Sequence, residues 1–135
     1  MQGTFIMNGG TICNNKVTGT DSNPAYGAAV LLNAENAQFS MTGGSIYNNV
    51  LTGKSYGGAV SLNGTNSKFT MSGGTIYGNT AVNAGGAVGV CESGAKFTLS
   101  GGTIGGTTLD SKNTANNGGA IYVGKGSMEM NGGTI

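Results

Sequence analysis

Phe69-Thr70-Met71-Ser72-Gly73-Gly74-Thr75-Ile76 is the stretch that decides the fold of this chain. Over its first four residues apolar side chains alternate with hydroxyl-bearing ones. That period of two belongs to a β-strand with one face on a core and the other in water. The glycine pair breaks the run, and Thr75-Ile76 starts another. The word returns as Phe39-Ser40-Met41-Thr42-Gly43-Gly44-Ser45-Ile46 and as Phe97-Thr98-Leu99-Ser100-Gly101-Gly102-Thr103-Ile104, and in looser form over residues 5–12 and 128–135.

A second word lies between the copies of the first: Gly27-Ala28-Ala29-Val30-Leu31-Leu32, Gly57-Gly58-Ala59-Val60-Ser61-Leu62, Gly85-Gly86-Ala87-Val88-Gly89-Val90 and Gly118-Gly119-Ala120-Ile121-Tyr122-Val123. Counted from Gly9, Gly43, Gly73, Gly101 and Gly132, the repeats are 34, 30, 28 and 31 residues long. Constant strand words with a variable period put the length changes in loops. Loops 17–26, 50–56 and 107–117 are therefore the first places to look for surface contacts.

These words predict an all-β fold: a right-handed, single-stranded parallel β-helix (solenoid) of four and a bit rungs of roughly 30 residues, with three short strands per rung. One rung cannot bury its own apolar side chains, so stacking must seal them in columns. The predicted columns are Phe5, Phe39, Phe69, Phe97 and Met128; Met7, Met41, Met71, Leu99 and Met130; Ile12, Ile46, Ile76, Ile104 and Ile135; Val30, Val60, Val88 and Ile121; and Leu32, Leu62, Val90 and Val123. Asn15, Asn49 and Asn79 each stand three residues past the Ile of their word and should form an amide ladder. Thr107 holds that place in the fourth copy, which predicts that the ladder stops there.

Composition narrows the class. Glycine makes up 28 of 135 residues and proline one, which fits neither collagen nor a proline-rich linker. Charged residues are only 8%, while 37% are hydrophobic and in strict register, unlike a disordered chain. The net charge is +1 and the six lysines are scattered, so no nucleic acid partner is expected. No apolar run is long enough for a membrane helix, so this segment should not insert into a membrane. Met1-Gln2-Gly3-Thr4 lacks the basic start and apolar core of a signal peptide, and an export signal is expected outside this segment. Cys13 and Cys91 should lie on different faces about two rungs apart, beyond disulfide reach. With no histidine and no Cys-x-x-Cys spacing, they read as free thiols and not as a metal or redox site.

The Gly-Gly-Ala-Val/Ile word, together with Ile76-Tyr77-Gly78-Asn79, resembles the right-handed parallel β-helix repeats of bacterial surface proteins. Among these are the polymorphic outer-membrane and autotransporter adhesins, whose second motif has Phe where this chain has Ile76. The Phe-Thr-Met-Ser-Gly-Gly-Thr-Ile word is also similar to repeats in large surface proteins of anaerobic bacteria. The resemblance covers essentially the whole chain. It implies an extracellular or cell-surface (secreted) location and a structural or adhesive role, as a spacer or binding scaffold for a host surface or a polysaccharide.

No reaction is expected. A polysaccharide lyase or hydrolase needs acids clustered on one face, or acids with a base or metal. Asp21, Glu35, Glu92, Asp110 and Glu129 are dispersed over the repeats, so no catalytic, cofactor-binding or metal-binding residues are assigned. The candidate surface contacts are instead the outward hydroxyls Ser40, Thr42, Thr70, Ser72, Thr98 and Ser100 and the outward aromatics Tyr47 and Tyr77. The hydroxyl array resembles the flat faces of ice-binding solenoids, although Ile6, Asn8, Glu129 and Asn131 interrupt it and Lys68 and Lys96 flank it. Words 5–12 and 128–135 are equivalent in phase. Residues 1–135 are therefore expected to form one uncapped β-helix domain, either part of a longer array or a filament subunit associating head to tail through open ends.

Overall fold

A computed structural model of the chain describes residues 3–106 and 108–135, apart from the Asp110 side chain. It is a parallel β-solenoid of about four turns whose single helical element among the described residues is the 3-10 turn Leu109–Ser111. The first sheet stacks Thr4–Met7, Gln38–Met41, Lys68–Met71, Lys96–Leu99 and Ser127–Met130. The second stacks Thr11–Cys13, Ser45–Tyr47, Thr75–Tyr77 and Thr103–Ile104, and the third stacks Val30–Leu32, Val60–Leu62, Val88–Val90 and Ile121–Val123. Every pairing is parallel and in register, so like residues sit on like residues: Phe39 on Phe69 on Phe97, Ile46 on Ile76 on Ile104, Val60 on Val88 on Ile121.

The inward columns are those the period of two predicts. Phe39, Phe69, Phe97, Met41, Met71, Leu99, Ile46, Ile76, Ile104, Val60, Leu62, Val88 and Val90 form one buried cluster. The phenyl rings stack face to face at 4.6–4.9 Å between centroids, the strand-to-strand spacing itself. Each glycine pair divides two tasks between its members. Gly85 takes φ +67°, which L side chains rarely adopt, whereas a Cβ on Gly86 would lie 2.1 Å from the Gly119 carbonyl oxygen of the next rung. In this second word the first glycine turns the corner and the second lets the neighbouring backbone in. In the Gly-Gly-Thr/Ser-Ile word the order is reversed, with the positive φ on Gly44, Gly74 and Gly102 and the close approach at Gly43, Gly73 and Gly101.

The asparagine ladder is longer than expected. Asn15 donates to Asn49 Oδ1 at 2.9 Å, Asn49 to Asn79 Oδ1 at 3.0 Å, and Asn79 to Asn113 Oδ1 at 3.0 Å. Thr107 lies outside the described residues, and Asn113 supplies the fourth amide. The expectation that the ladder stops is thus overturned. In this rung the turn carries extra residues, with a 3-10 turn over Leu109–Ser111, so the asparagine comes nine residues past Ile104 instead of three. Register is regained where the Gly78 amide donates to the Ser111 carbonyl and the Asn79 amide to Asn113 Oδ1.

The loops are more ordered than length variation suggests. Lys16–Thr18 pairs with Val50–Thr52, and Ala25–Tyr26 with Ser55–Tyr56. Single bridges extend both ladders, Val50 to Thr80 to Thr114 and Tyr56 to Ala84 to Asn117. Beneath them Ala25, Leu51 and Ala81 form a second small core, packed against Ala28 and Ala115. The variable turns are therefore a fourth side of the solenoid, built on the same stacking rule.

Candidate functional site

The sequence-derived candidates fall on two separate sheets. Ser40, Thr70 and Thr98 stand in register on the outer face of the first sheet, as expected. Thr42, Ser72 and Ser100 follow those strands and are exposed. Thr42 donates to Asn8 Oδ1 at 2.9 Å, and Ser100 turns back to the Met71 carbonyl at 3.3 Å, so the outer column is partly satisfied by its own rungs. Tyr47 and Tyr77 lie on the second sheet, stacked at 4.9 Å with Cys13 aligned next to Tyr47. The hydroxyl array and this aromatic pair do not form one surface.

A different constellation occupies the third side. Tyr26 and Tyr56 sit immediately before the glycine that opens the second word, and their rings stack at 5.6 Å. The outward column of the third sheet reads Leu31, Ser61, Gly89, Tyr122. Tyr122, aligned with Gly89 and packed against Gly124, brings its ring to 6.5 Å from Tyr56, tilted by 40°. Three tyrosines thus wall a groove of about 390 Å³, completed by Lys54, Asn63, Cys91, Glu92 and Lys125.

The polar groups of the groove are set by close neighbours. Glu92 accepts from the Ser93 amide at 2.8 Å and faces Lys125 at 3.5 Å; the backbone bond first, then the lysine, hold its carboxyl below the usual range. Burial pushes the Cys91 thiol up, opposed by its contact with Ser61 Oγ at 3.8 Å and reinforced by the Glu92 charge. Cys91 is therefore a thiol and not a nucleophilic thiolate at neutral pH. Burial also raises Tyr26, with smaller contributions from Cys91, Tyr56 and Glu92. Cys13 and Cys91 are free, as the rung separation predicts.

Sequence reasoning passed over this groove, though half of its signal was present. Tyr26-Gly27 and Tyr56-Gly57 occupy the same place in successive repeats, as do Tyr47 and Tyr77. Tyr122 carries no such signal, since its column holds four different residues. Among the described residues, no group of three or more His, Cys, Asp or Glu could hold a metal ion.

The fold and groove together define a parallel β-solenoid with an aromatic, polar cleft on one side. Comparison with protein families, curated proteins and solved structures returned no match to this chain.

Proposed function

We propose that the chain is a non-enzymatic structural scaffold, a spacer or binding platform within an extracellular or cell-surface bacterial protein. The observation that carries this reading is the unbroken register of the stack. Four rungs superpose Phe on Phe, with Met128 on the fifth, and four superpose Ile on Ile, while their outer faces are solvated mainly by neutral Ser, Thr and Asn side chains. Hydroxyls of adjacent rungs bond along the axis, Thr18 to Thr52 at 2.9 Å, Ser45 to Thr75 at 3.0 Å and Thr80 to Thr114 at 3.0 Å. A rod that satisfies its own polar groups rung by rung holds its shape without a second domain, and it can carry side chains at fixed distances from an anchor. Antibody labelling of intact and permeabilised source cells tests the placement. Equal labelling of both is expected, and signal confined to permeabilised cells would overturn it.

A second reading, head-to-tail self-assembly, is favoured by the end rungs. Of the inward columns, Phe5 is exposed on one and Val123, Met130 and Ile135 on the other. Strand edges bordered by apolar side chains recruit further strands. Sedimentation over a wide concentration range should then show growing species, and a monomer at the highest concentration would remove this reading.

A further inference from the structure

We propose that the Tyr26–Tyr56–Tyr122 groove binds a short segment of a polymeric, carboxylate-bearing glycan. Its lining comes from four successive rungs: Tyr26 from the first, Tyr56 and Asn63 from the second, Cys91 and Glu92 from the third, Tyr122 and Lys125 from the fourth. At ~4.8 Å per rung the site extends about 14 Å along the axis. That elongated shape suits a linear chain better than a compact metabolite.

The lining has the chemistry of a sugar's counterpart. A pyranose alternates C–H patches with hydroxyls, and a tyrosine offers an apolar ring and a hydrogen-bonding hydroxyl on one side chain. Tyr26 and Tyr56 stack on each other, which leaves their ring edges and hydroxyls for the ligand and fixes their rotamers before it arrives. Asn63 donates its amide to Asn33 at 2.8 Å, so its orientation is also set.

Charge selects the kind of glycan. Glu92 and Lys125 answer each other across adjacent rungs. Lys54 lines the same groove and, among the described residues, has no carboxylate within ion-pair distance. Lys54 also borders a neighbouring cavity with Asp21 but forms no ion pair with it, and a cation without an ion-pair partner in the groove favours a uronate over its neutral ester. It is too little charge for a nucleic acid, whose binding rests on several neutralised phosphates.

This inference supplies what the proposed scaffold would hold, and it is tested on purified protein, so its failure leaves the cell-surface labelling result standing. The chain has no tryptophan and three of its five tyrosines line the groove, so a ligand-dependent change in tyrosine emission reads the groove above a background from Tyr47 and Tyr77. The probes are oligogalacturonate, oligomannuronate and hyaluronan oligosaccharides, with methyl-esterified oligogalacturonate as the neutral isostere.

At least one acidic oligomer should give a saturable change with a Kd below about 10 mM. Its affinity should fall about threefold or more for Lys54→Ala and for the ester. Tyr26→Ser should weaken it further, while Tyr77→Ser on the second sheet should leave it unchanged. Lys54 is exposed, so Lys54→Ala keeps the fold intact. Absence of saturable change with all three acidic oligomers would overturn the proposal. So would a response that survives both Lys54→Ala and Tyr26→Ser, and equal affinity for the ester would overturn the choice of a carboxylate.

Discussion

Phe5 and Phe69 occupy the same place in the same word, yet Phe5 is 40% exposed and Phe69 is 0% exposed. Ile135 and Ile76 close the same word at 53% and 0%. The words do not bury themselves. A residue in a middle rung is sealed by the rung on each side, and a residue in an end rung by one only, so burial here belongs to stacking and not to local sequence. What holds for the apolar columns holds for the amides. Asn49 and Asn79 are fully buried within the ladder, whereas Asn15 at its edge is exposed.

The largest effect that sharpens this contrast is a buried charge. Ile76→Asp should destabilise the chain by more than about 4 kcal/mol, because an unpaired carboxylate would sit in the sealed column. Ile135→Asp should cost under about 0.5 kcal/mol. Denaturation midpoints of the two variants compare them directly, and equal losses would break the inside–outside assignment.

Next comes the ladder. Asn79 has three acceptors within 3.0 Å, the Ile46 and Tyr77 carbonyls and Asn113 Oδ1, and its own Oδ1 accepts from the Asn49 backbone and side chain at 3.0 Å. Asn79→Ala should cost about 2–4 kcal/mol, since it strands buried groups on both neighbouring rungs. Asn15→Ala should cost about 1 kcal/mol or less by the same denaturation measurement.

A smaller effect has the opposite sign. Ser67 stands before a strand of the first sheet where the two neighbouring repeats have Ala37 and Ala95, and its buried hydroxyl has no hydrogen-bond partner. Ser67→Ala should raise stability by about 1 kcal/mol, read as a higher unfolding midpoint.

The smallest is the pH response of the exposed ion pairs. Hydrogen bonding to Lys96 and then to Asn131 lowers Glu129, and the Ser93 amide and then Lys125 lower Glu92. Groups whose folded pKa is depressed add stability above their unfolded value and lose it as pH falls through the folded one. Acidifying below the ordinary glutamate range should lower the melting temperature slightly. Glu92→Gln with Glu129→Gln should flatten that slope without changing the fold.

Nearly all of the architecture was legible because the information is periodic. An apolar residue that recurs at a fixed place in every word must face its own copies, and the columns follow. The ladder's end was misread because extra residues after Ile104 displace the asparagine that chemistry requires to position 113, and spacing alone assigns that place to Thr107. The groove was half legible. Tyr26 and Tyr56 repeat in phase, but Tyr122 belongs to a different column that holds Ser61 and Gly89 in the preceding rungs, and its approach to Tyr56 is a relation between columns that no single repeat displays.

Native-state hydrogen exchange at the amides of Phe5, Phe39, Phe69, Phe97 and Met128 tests most directly whether rungs seal one another. Phe39, Phe69 and Phe97 should exchange only through global unfolding, with nearly equal protection. Phe5 and Met128 should exchange about a hundredfold faster or more, through local opening of their rungs. Equal protection at all five positions would contradict burial by stacking.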